Sequence, residues 1–160
     1  MANILEKIGG MGDKDLLRLF VNAQQIVNGR SKGPEEQAQA VINKIQSEWK
    51  SRLTRARAGN YKASLPEIGM LKTFGYSVGE SGERKEVRRE ALQMVFDSEL
   101  PLVGSPAYTV EWGEPRSRKR VDKMKRSLAA FISNADPGWE KAILEWQEDL
   151  DFIRQELSLN

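Results

Sequence analysis

Apolar residues recur along this chain at intervals of three and four, and no segment alternates strictly between apolar and polar. Leu16, Leu19, Phe20, Ala23, Ile26 and Val27 form one stripe. With Asp13 as an N-cap residue type and Asn28-Gly29 as a stop, they predict a helix over 13–28. Pro34 suits a first helical position, and Glu35 and Glu36 follow where the helix dipole favours acids. Behind them Ala38, Val41, Ile42, Ile45, Trp49 and Leu53 predict a long helix that Gly59 ends. Shorter helices are expected from Ala2 to Ile8, from Ser64 with Ile68, Leu71 and Phe74 inward, and over Pro106 to Trp112 behind Ser105. Glu83 to Leu100 reads as a helix carrying Val87, Ala91, Met94 and Val95 inward and Arg84, Lys85, Arg88 and Arg89, interleaved with acids, outward, with Pro101 as its stop. Ser117 caps a helix over about 117–133, and Asp136-Pro137 open a terminal one over about 137–157.

Tyr76 to Gly79 is the one extended segment, too short for a sheet. The pattern therefore predicts an all-α fold, a single compact domain spanning 1–160 with about five to seven helices and no significant sheet. No repeat or interdomain linker interrupts it.

Composition narrows the chemistry. The 160 residues include neither His nor Cys. This excludes His general bases, Cys nucleophiles, the triads built on either, disulfides, and zinc sites made of those ligands. No cofactor or metal is expected. Glu111 and Glu114, three apart, are the carboxylate pair nearest dense positive charge, but such a pair is ordinary on a helical surface, and the chain reads as no enzyme. Gly9 to Lys14 lacks the spacing of a phosphate loop. The longest apolar run, Leu128 to Ile132, falls far short of the ~20 residues of a membrane helix. With no secretory signal pattern either, the expectation is a cytoplasmic protein that meets no membrane.

The net charge of +2 conceals an uneven distribution: residues 1–133 carry net +7 and residues 134–160 net −5. Seven basic residues fall within the eleven positions 116–126. Val121, Met124, Leu128, Phe131 and Ile132 share one stripe of that helix, and Lys119, Lys123 and Arg126 the opposite face. Arg116, Arg118, Lys119, Arg120, Lys123 and Arg126 are thus candidate phosphate contacts, with Arg52, Arg55 and Arg57 at the end of the long helix as a second patch. The short Gly-containing turn before Ser117 fits a loose helix-turn-helix description.

The terminal helix offers a different reading. Trp139, Ile143, Trp146, Leu150, Ile153 and Leu157 follow at steps of four and three, a coiled-coil seam that suits a homodimer or a protein partner.

Residues 71–79 (LKTFGYSVG), the RRxxL run at 88–92, SELP at 98–101 and EWGEPRS at 111–117 together resemble a small helical module of uncharacterised bacterial proteins. The resemblance spans residues 71–133 and implies a bacterial, intracellular origin. Two functions follow from the residues: nucleic-acid binding through the basic helix, or protein interaction and assembly through the Trp/Leu seam.

Overall fold

A computed structural model describes residues 3–157, and among these no strand is present; an isolated bridge joins Leu65 to Val103. Ala2, expected to begin the first helix, lies outside the described residues. The helices are α1 (Ile4–Lys7), α2 (Asp13–Val27), α3 (Glu35–Arg57), α4 (Met70–Thr73), α5 (Lys85–Asp97), α6 (Pro106–Val110), α7 (Arg118–Ser133) and α8 (Glu140–Phe152). A 3-10 turn (Ile8–Gly10) follows α1 and a π-helical turn (Ile153–Leu157) follows α8. The fold is all-α, with eight α-helices among the described residues rather than five to seven. The number reaches eight because the very short α1, α4 and α6, each also marked by the apolar spacing, count as separate helices.

Several boundaries differ from expectation for local reasons. Gly12, not Asp13, is the N-cap of α2, because the Asp13 carboxylate is engaged elsewhere. Ser64 starts no helix: Leu65 bridges to Val103, α4 begins only at Met70, and Ile68 is exposed. Pro101 is not the stop of α5, which ends at Asp97 before an extended Ser98. Asp136-Pro137 precede a turn rather than the helix itself. There the Gly138 N–H donates to the Asp136 side chain and the Trp139 N–H to the Asp136 carbonyl, so that α8 begins at Glu140. Ser117 caps α7 as expected, its Oγ accepting from the Arg120 N–H at 3.1 Å.

The chain forms two compact units. One comprises the described residues up to Glu67 with Glu99–Thr109, the other Ile68–Ser98 with Val110 onward. In the first, α2 lies along α3. Leu16, Phe20 and Ala23 are buried with Val41, Ile42, Ile45 and Trp49, and the Phe20 and Trp49 rings stand 4.7 Å apart. Each such large side chain contributes about 1.5–3 kcal/mol by leaving water. In the second, α7 packs on α8, and α5 touches α4 and α8. Its buried residues include Phe74, Leu92, Val95, Phe96, Trp112, Val121, Met124, Leu128, Leu150, Ile153 and Leu157. Among the described residues no helix is long and apolar enough to cross a membrane.

Candidate interaction site

The basic helix is less available than its sequence suggests. Arg120, expected at a phosphate-contacting surface, is only 1% exposed. Its Nε donates to the Trp112 carbonyl at 2.8 Å, Nη2 to Gly113 at 2.8 Å, and Nη1 to the carbonyls of Ser98, at 2.8 Å, and Val95. The α5 carbonyls, which have no partner within the helix, and the negative end of the helix dipole hold this cation in place. Arg52 corrects the second patch in the same way. At 3% exposure it donates to Asp13 at 2.7 Å, to Glu48 at 2.7 Å and to the Met11 carbonyl.

Other candidates are engaged nearer the surface. Arg116 pairs with Asp97 and lies over the Phe96 ring, Arg55 pairs with Glu48 at 2.9 Å, and Lys123 pairs with Glu111 at 3.1 Å over the Trp112 ring. Arg118, Lys119, Arg126 and Arg57 are exposed. Of the nine positions, then, two point inward, three are paired, and four carry their charge to solvent.

Asp13 completes the cluster in the first unit. It accepts from the Tyr61 hydroxyl at 2.6 Å and from the Ser64 backbone and hydroxyl, both at 2.9 Å. Burial works to raise the Asp13 carboxyl pKa. The donors from Tyr61, Ser64 and Arg52 outweigh it and hold the group below the usual carboxylate value. The Tyr61 phenol is shifted the other way, its pKa raised first by burial and then by this bond to Asp13.

The second unit contains a cluster that the sequence reading missed. Arg88, buried on α5, donates to Asp149 at 2.8 and 3.2 Å, to Glu145 at 3.0 Å and to Glu148 at 2.9 Å, all on α8. The Tyr76 hydroxyl donates to Asp149 at 2.6 Å. The legible signal was position: Arg88, Ala91, Leu92 and Val95 are spaced i, i+3, i+4, i+7, so an arginine occupies the buried stripe. Among the described residues no group of three or more His, Cys, Asp or Glu is arranged to hold a metal ion.

The terminal seam divides. Leu150, Ile153 and Leu157 are buried, the last two on the π-helical turn. Ile143 and Trp146 are half-buried, and Trp139 is 56% exposed. Phe131, expected inward on α7, is 39% exposed, its ring 5.6 Å from that of Trp146.

Trp139, Ala142 and Trp146 form one side of a cleft of about 420 Å³, and Val78 to Ser81 form the other. The loop is held open by local chemistry. Gly79 has φ 91, favourable only for glycine, and its N–H donates to the Glu145 carboxylate at 2.8 Å. A Cβ on Gly82 would stand 2.4 Å from the Val78 backbone, so only glycine permits the chain to fold back at that point. At the mouth, Lys141 and Glu80 approach to 4.0 Å. Comparison with protein-family models, curated proteins and solved structures finds no match to this chain.

Proposed function

We propose that the chain is a non-enzymatic interaction protein that receives a segment of a partner protein in the Trp139–Trp146 cleft. The carrying observation is the exposure of Trp139 beside Trp146 and Phe131 at the mouth of a preformed cavity. Large exposed aromatics beside a concavity are typical of binding anchors, and leaving them in water brings no folding benefit. We take it to act inside a bacterial cell, on the resemblance of residues 71–133 to a bacterial helical module.

A photo-crosslinking residue at position 81, which lines the cleft and is exposed, installed in the full chain in cells, tests the reading. A discrete protein adduct, absent when the same residue stands at the exposed Gln155, supports it. Identical patterns from the two positions, or adducts that nuclease removes, overturn it.

A second reading is nucleic-acid binding. It is favoured by the exposure of Arg118, Lys119 and Arg126 on one side of α7. It draws no support from Arg52 or Arg120, which are spent inside the protein.

A further inference from the structure

We infer that the partner segment in the cleft is cationic: a Lys or Arg side chain seated on Trp139, with an apolar neighbour on Val78, Ala142 and Trp146. This deepens the reading above and rests on it. The cleft's floor is aromatic and aliphatic, and its rim carries the carboxylates of Glu80 and Glu140 against the single cation Lys141. An exposed indole face with carboxylates beside it attracts a positive charge through both the ring quadrupole and Coulomb interaction.

The chain itself already places a cation at this mouth. Lys141 reaches Glu80 at 4.0 Å, in a pair whose side chains are largely exposed. Such a pair is worth little, so an incoming guanidinium or ammonium displaces it at small cost. Asp136 and Glu140, exposed on either side of Trp139 in the chain, put acids at the start of α8. With two carboxylates to one cation in its lining, the cleft favours a cationic ligand over a phosphate group. At about 420 Å³ the space suits one or two side chains of a peptide rather than a whole helix.

The test is selection of random twelve-residue displayed peptides on the immobilised full chain, followed by titration of synthetic peptides against the wild type, Trp139→Ala and Glu80→Gln. Both altered side chains are mostly exposed, and unchanged melting confirms that the variants fold. The expected result is enrichment of Lys or Arg next to a large apolar residue. About a tenfold loss of affinity should follow Trp139→Ala, with a smaller loss for Glu80→Gln and weakening in salt. Peptides that need Trp139 but are neutral or acidic overturn the cationic assignment and leave the cleft reading standing. An absence of any Trp139-dependent peptide overturns both.

Discussion

Arg88 and Asp149 meet inside the second unit through two parallel hydrogen bonds, Nε to Oδ2 at 2.8 Å and Nη2 to Oδ1 at 3.2 Å. Neither side chain reaches solvent appreciably. Asp149→Ala takes from a buried guanidinium its one fully buried carboxylate partner and leaves the Tyr76 hydroxyl without its acceptor, so a loss of about 3–5 kcal/mol is expected in urea denaturation. Arg88→Lys should also be costly, because an ammonium cannot span Glu145, Glu148 and Asp149 in one plane. A loss below about 1 kcal/mol for Asp149→Ala would contradict this role.

Arg120 is held by backbone carbonyls. Its guanidinium gathers the carbonyls that end α5 and those of the 112–113 turn. Arg120→Lys retains the charge but loses most of the fork, and about 3 kcal/mol or more of stability should go with it. Lys119→Gln, one residue away and exposed, should move stability by no more than about 0.5 kcal/mol. Equal effects at the two positions would show that Arg120 is not the clamp described here.

Buried arginines mark where sequence reasoning stopped. The stripe of Val121, Met124 and Leu128 was legible because apolar periodicity reports burial directly. Arg52, Arg88 and Arg120 were not, because charge is normally counted as surface. Yet each stands at an apolar spacing: Arg52 follows Ile45 and Trp49 at i+7 and i+3, and Arg120 precedes Met124 and Leu128 by four and eight. The partners that make burial tolerable lie on other elements, beyond the reach of a local pattern. The cleft was half legible. Its tryptophans were evident as a seam, but the opposing loop depends on Gly79 and Gly82, whose backbone geometry no periodicity encodes.

The two clusters should be visible in the pH dependence of stability. Asp13 titrates below its ordinary 3.8 in the folded chain, so its contribution is complete above that value and is lost as pH falls through the lower folded value. Tyr76 moves the other way. Burial, then the charge of Asp149, raises its phenol above the ordinary 10.0, so stability declines as pH rises past 10. Tyr76→Phe should flatten that alkaline decline by up to about 1.4 kcal/mol per pH unit, at a neutral-pH cost of about 1–3 kcal/mol for the bond lost by Asp149. An unchanged alkaline slope would show that Tyr76 ionises as freely folded as unfolded.

Charge reversal separates the two functional readings. Arg118, Lys119 and Arg126 are exposed, so changing all three to Glu should leave the fold intact. If the chain binds duplex DNA through them, removing three phosphate contacts should lower the slope of log affinity against log salt by about 2.7. A parent protein with no salt-dependent DNA binding ends the nucleic-acid reading.

Trp139 and Trp146 occupy the same cleft and should respond oppositely to truncation. Trp146 is half-buried and packs against the Phe131 ring at 5.6 Å, so Trp146→Ala removes aromatic contact and opens a hole beside α7. A cost of about 2–3 kcal/mol is expected, somewhat under the range for a fully buried aromatic. Trp139, at the N-cap of α8 and 56% exposed, makes no side-chain capping bond. Its truncation should change stability by about 0.5 kcal/mol or less while removing most partner binding. Thermal melting of the two variants, set against crosslinking yield from position 144, which is exposed at the same end of α8, resolves the difference. A large stability loss at Trp139 would make that residue a structural member of the unit, and the cleft would lose its anchor.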